Sequence, residues 1–147
     1  MTPHQHLLRI YYEDTDAQAI VYNANYMKFM ERGRTEMLRA MNFQHPEITP
    51  EGSNYFVVGE LNARYKASAK LDDELIVETS VLNIGGASIK LRQNVLKRVA
   101  STDSLLLEGV VTLIYIAESG KPVRIPQNLR DAFAPYLAQE EVPDARS

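Results

Sequence analysis

Hydrophobic and polar positions alternate along most of the chain in ways that predict its elements. Leu7 to Tyr12 is rich in aliphatic and aromatic residues and predicts a first strand. From about Asn25 to about Met41 the apolar residues Tyr26, Phe29, Met30, Met37, Leu38 and Met41 fall three and four apart, with Gly33 on the same stripe. That spacing predicts a helix with one buried face. Asn23 and Asn25 are candidate N-caps, because a short side-chain oxygen can accept from the free N–H groups of a first turn. Asn42, Pro46, Pro50 and Gly52 mark residues 42–54 as a loop.

Beyond residue 60 the period changes to two. Glu60, Asn62, Arg64 and Lys66 alternate with Leu61, Ala63 and Tyr65. Leu75, Val77 and Val81 share the apolar face of the next strand. Gly85-Gly86 signals a hairpin, and Ile89, Leu91 and Val95 continue opposite Lys90, Arg92 and Asn94. Leu105 to Ile116 is apolar on both faces apart from Glu108 and Thr112, which predicts a central strand covered on both sides. Gln127 to Leu137 reads as a short closing helix before a frayed acidic tail. The order is strand, one long helix, then about four consecutive strands. Such a run predicts one α+β domain over 1–147: an antiparallel meander with the helix on one face. The other face or an edge is left for a second subunit.

Composition narrows the chemistry. The chain has 147 residues, a net charge of −3 and no cysteine. The missing cysteines exclude disulfides, thiolate zinc sites and a cysteine nucleophile. The acidic balance argues against nucleic acid as a partner. Lys66, Lys70, Lys90, Arg92, Lys97 and Arg98 are left as candidates for binding the phosphates of one anionic cofactor-like substrate. No stretch is long and apolar enough for a membrane span, and no secretory signal is visible, so the expected location is the cytoplasm.

The stretch with chemical content is Tyr11-Tyr12-Glu13-Asp14-Thr15-Asp16, followed by Ile20-Val21-Tyr22-Asn23 and the helix. A carboxylate at a strand end, beside the unpaired N–H groups of a helix N-terminus, supplies a nucleophile or general base together with an oxyanion site. Asp14 reads as a support for the turn. A metal shared by Asp14 and Asp16 lacks further ligands, so no metal is expected. Glu31 is a reserve carboxylate, with an ion pair to Arg32 or Arg34 as its plainer reading. His4, His6 and His45 read as isolated residues of a tail and a loop.

The run Tyr-Glu-Asp-Thr-Asp-Ala, then Ile-Val-Tyr, Asn-Tyr and Glu-Arg-Gly-Arg-Thr-Glu resembles the 4-hydroxybenzoyl-CoA thioesterase family, and most of all its Tol–Pal-associated bacterial acyl-CoA thioesterase branch. The resemblance implies a hotdog fold, an antiparallel sheet of about five strands wrapped around one long central helix. It further implies subunits paired as homodimers or homotetramers. The implied activity is hydrolysis of acyl-CoA, or of acyl carrier protein thioesters, without a cofactor. Asp16 takes the place of the family's catalytic aspartate, and the Asn23 backbone N–H that of its oxyanion donor. Tyr22 and Tyr26 would shape the pocket. The chain departs from the family where Gln18 and Ala19 replace usual glycines, a residue type that permits positive φ. It departs again at Asn23, where the branch often has histidine. Two other functions fit the same fold: a dehydratase or hydratase, which would need a histidine base, and a non-catalytic acyl-binding or scaffold protein.

Overall fold

A computed structural model describes residues 3–42, 54–100 and 102–138. Five strands form one antiparallel sheet: β1 (His4–Arg9), β2 (Tyr55–Tyr65), β3 (Glu74–Ile84), β4 (Ser88–Lys97) and β5 (Ser104–Ile116). Among the described residues two helices, α1 (Asn25–Ala40) and α2 (Gln127–Phe133), accompany it, and a 3-10 turn at Ala134–Tyr136 follows α2. His45, most of the loop expected over 42–54 and the acidic tail lie outside the described residues.

The predicted meander holds only for β3, β4 and β5. The strand order is β1-β3-β4-β5-β2, so β2 crosses to the far side and pairs with β5, not with the β3 that follows it. Strand β2 also begins earlier than its alternation suggested, since Tyr55 to Val58 carries no polar partner to set a period of two. The first strand, expected over Leu7 to Tyr12, instead spans His4–Arg9, and Tyr12–Asp14 forms a 3-10 turn.

Helix α1 lays Tyr26, Phe29, Met30, Gly33, Met37 and Leu38 against the sheet, the stripe its spacing predicted. Each large apolar side chain in that row is worth roughly 1.5–3 kcal/mol. This holds the helix although neither expected cap forms: its N-cap is Ala24, with no side-chain cap bond. One helix does not cover the face alone. Leu129 and Phe133 of α2 close the other end of the core. Strand β5 is interior, but among the described residues it is covered on one face only. Leu107, Val111, Leu113 and Tyr115 are buried, while Val110, Thr112 and Ile114 remain partly exposed. The edge strand β2 likewise leaves Tyr55, Val58 and Tyr65 exposed.

One polar residue lies inside this apolar layer. Gln93 is fully buried, and its amide donates to the Met30 carbonyl at 3.0 Å and to the Thr79 hydroxyl at 2.9 Å. Its own oxygen accepts from Arg34 at 2.9 Å. Helix and sheet are thus tied by hydrogen bonds beside Gly33, where they pack closely. A Cβ there would lie 2.6 Å from a Val77 methyl and 3.3 Å from the Gln93 amide nitrogen. Gly33→Val is therefore expected to destabilise the protein by about 1–3 kcal/mol through overpacking. Urea unfolding measures this, and an unchanged midpoint would show that the helix is not seated so closely.

Candidate active site

The acidic segment folds into a small hairpin between β1 and α1. Thr15 bridges Val21, and the Tyr22 N–H donates to the Asp14 carbonyl at 3.1 Å. At the tip, the Asp16 N–H donates to Ile20 O and the Ala19 N–H to Asp16 O, both at 2.9 Å. This is a three-residue loop, whose last position favours a left-handed backbone. Ala19 occupies that position with φ of 64°. The turn requires the conformation even where glycine is replaced.

The acids divide their roles. Asp14 is buried and both of its oxygens are engaged: one accepts from the Tyr11 N–H at 2.9 Å, the other from the Asn25 side-chain amide at 2.9 Å. It supports the turn, as its position suggested, and it draws Asn25 away from capping the helix. Asp16 is exposed. Its Oδ1 accepts from the Gln18 N–H at 2.8 Å, which fixes the carboxylate against its own loop. Among the described residues its Oδ2 accepts no hydrogen bond, so a carboxylate oxygen is free for chemistry.

The entry to α1 presents the second component. The Tyr22 and Asn23 carbonyls accept from the N–H groups of Asn25 at 2.8 Å and Tyr26 at 3.2 Å. In a trans peptide the C=O and the next N–H point in opposite directions. The N–H groups of Asn23 and Ala24 therefore point off the helix end, and neither donates to a described residue. Such amides favour negative charge. Asp16 and Asn23 do not bond to each other; Asp16 sits at the turn of the hairpin and Asn23 just past its other end.

The tyrosines differ in setting. Tyr22 is 57% exposed, whereas Tyr26 is 1% exposed. The Tyr26 hydroxyl accepts from the Ala69 N–H at 3.0 Å, and its ring meets Phe29 and Tyr65 edge-on. Burial raises the Tyr26 hydroxyl pKa; the Ala69 N–H opposes this, and the nearby Tyr65 and Asp73 add to it. Tyr26, expected to shape the pocket, is thus a core side chain in the first turn of α1.

The segment from Tyr65 to Lys70, where the sequence marked only Lys66 and Lys70 as phosphate candidates, holds the hairpin from behind. The Tyr65 hydroxyl donates to Asn23 O at 3.0 Å, the Val21 N–H donates to Ala69 O at 2.9 Å, and Ile20 bridges Lys70. The alternation around Tyr65 put it on the apolar face. Nothing local indicated contact with a loop some forty residues earlier.

A cavity of about 520 Å³ runs beside α1 towards β2, lined by Met27, Leu38, Phe56, Leu61 and Phe133, with Glu31 and Arg34 among its polar groups. Glu31 does not form the expected ion pair among the described residues. Burial lowers the Arg34 guanidinium pKa, and Glu31 partly offsets this. His4 and His6 are not in a tail but on β1, partly buried, and burial is the main reason their pKa values fall. Among the described residues neither forms a hydrogen bond or ion pair with the Asp16 hairpin. Among the described residues no cluster of histidine, aspartate or glutamate has the form of a metal site, and no helix is long and apolar enough to cross a membrane.

The profile of the thioesterase superfamily matches residues 18–99. The chain belongs to that superfamily. The acyl-CoA thioesterase YbgC of Haemophilus influenzae is 40% identical to it over 128 residues, covering 86% of this chain and 90% of that protein. A probable thioesterase from Bartonella henselae superposes with a TM-score of 0.76 at 31% identity, over 84% of this chain and 99% of that one. A mutant 4-hydroxybenzoyl-CoA thioesterase, solved with 4-hydroxybenzoyl-CoA, gives 0.84 at 16% identity over 90% and 99%. At that identity it shows the fold: the hotdog thioesterase fold, an antiparallel five-stranded sheet with helices.

The loop makes its own prediction. A left-handed backbone costs an ordinary L-residue about 1–2 kcal/mol, while glycine adds unfolded-state entropy of about 0.4–1 kcal/mol. Ala19→Gly is expected to raise the urea midpoint, by a net stabilisation of about 0.5–1 kcal/mol. A lowered midpoint would show that the hairpin does not need this conformation.

Proposed function

We propose that the protein hydrolyses acyl-CoA thioesters to the free acid and CoA, with Asp16 as nucleophile or general base and the Asn23 N–H polarising the thioester carbonyl. The observation that carries this reading is the pairing of a free carboxylate oxygen with outward-pointing amides at the start of α1. The 40% identity to an acyl-CoA thioesterase supports the substrate class. In one route the Asp16 carboxylate attacks the carbonyl carbon, the C–S bond breaks and CoA leaves as thiolate. Water then hydrolyses the resulting anhydride. In the other, Asp16 takes a proton from water as that water attacks. Both place negative charge on the carbonyl oxygen, where the Asn23 N–H acts. Neither calls for a metal.

Tyr22, exposed beside Asn23, forms part of the substrate wall, and Tyr26 supports it from the core. Acyl carrier protein is the second carrier this site would accept. The sheet completes itself with a further copy of the chain, as a homodimer or homotetramer, through the exposed β2 edge or the half-covered outer face. The location that fits such a substrate is the cytoplasm. The wrapping of the sheet around α1 as the one central helix belongs to the same reading.

Thiol release from acyl-CoAs of varied chain length and from aromatic acyl-CoAs tests the proposal. Asp16→Asn is expected to lower kcat at least about 10²-fold, the lower end of what a positioned acid–base group contributes, with the fold retained. Equal turnover by both proteins would remove Asp16 from the chemistry. Binding without thiol release by the wild type would favour the acyl-binding reading.

A further inference from the structure

The segment that backs the hairpin contains one side chain whose reach is directed at the reacting end. Tyr65 lies near the end of β2, and its hydroxyl donates to the Asn23 carbonyl at 3.0 Å. The same carbonyl accepts from the Tyr26 N–H at the longer distance of 3.2 Å. Asn23 O is one end of the Asn23–Ala24 peptide, whose other end is the unpaired Ala24 N–H. Since the peptide is planar and trans, fixing the oxygen fixes the direction of that N–H. Ala24 is the N-cap of the helix, and no side chain caps it.

We infer that Tyr65 is a positioning residue for the proposed hydrolysis: it holds the Asn23–Ala24 peptide so that the Ala24 N–H is aimed at the developing oxyanion beside the Asn23 N–H. The inference rests on the proposed function for its catalytic meaning, but the contact itself does not. The ring of Tyr65 is also fixed, edge-on to the Tyr26 ring with centroids 5.6 Å apart. Tyr26 in turn is held by Ala69. The hydroxyl is therefore presented from a packed support and not from a mobile side chain, although 45% of the residue is exposed. Preorganisation of this kind acts on the transition state, where the carbonyl oxygen gains charge, more than on the bound substrate.

Tyr65→Phe removes only the hydroxyl. In the full-length protein its kcat for an acyl-CoA that the wild type hydrolyses is expected to fall about 5- to 30-fold, with KM within twofold and the melting temperature close to wild type. In a 15N-labelled sample of the same variant, the Ala24 amide resonance should shift and its hydrogen exchange should accelerate. Wild-type kcat in Tyr65→Phe would overturn the inference. So would a lowered kcat with an unchanged Ala24 amide, or a loss of kcat accompanied by altered KM and lowered melting temperature, which would mark Tyr65 as a support of the edge strand alone. If the wild type releases no thiol from any acyl-CoA, the proposed function fails, and the Ala24 amide still decides whether Tyr65 orients the peptide.

Discussion

Ala69 spends both of its backbone polar groups on the segment that carries Asp16 and Asn23. Its carbonyl accepts from the Val21 N–H and its own N–H donates to the Tyr26 hydroxyl. One contact fixes the return limb of the hairpin and the other fixes the first turn of α1, so a single residue sets the relation between the two. Ala69 is itself fully buried. The surrounding bonds, from Tyr65 to Asn23 and from Ile20 to Lys70, extend the same clamp. Without it, a nine-residue connection from Asp14 to Tyr22 would have only its own ladder, too short to be stable alone.

This constraint explains how two incompletely satisfied features coexist in a folded site. The Asn23 and Ala24 amides lack described partners, and Asp16 keeps an unbonded oxygen, because their surroundings are fixed by neighbours and not by the groups themselves. Asp14 illustrates the division of labour. It sits two residues from Asp16 and is chemically identical, yet burial and two hydrogen bonds commit it to the turn. The left-handed Ala19 is part of the same arrangement: the loop geometry that exposes Asp16 is kept at some conformational cost.

Much of this was legible in the sequence because it rests on local pattern. The three- and four-residue spacing on α1 named its buried face, and the place of Gly33 on that stripe indicated close packing. The family resemblance indicated Asp16 and Asn23. The crossing of β2 to pair with β5 was not legible, since alternation within a strand says nothing about its neighbour. Gln93 was missed because a lone polar residue on an apolar face gives no hint of the three partners that satisfy it. Tyr65 and Ala69 were missed for the related reason that their partners lie more than forty residues away. The missing cap at Asn25 follows from competition, since Asn25 serves Asp14 instead.

The most direct measurement is a two-dimensional 15N–1H titration of the wild-type protein with a non-hydrolysable thioether analogue of an acyl-CoA. The largest changes are expected at the amides of Asn23 and Ala24 and in the Asp16–Ala19 loop, with smaller ones at Ala69. Binding that leaves the Asn23 and Ala24 amides unmoved, while shifting resonances on another face of the sheet, would contradict this placement of the active site.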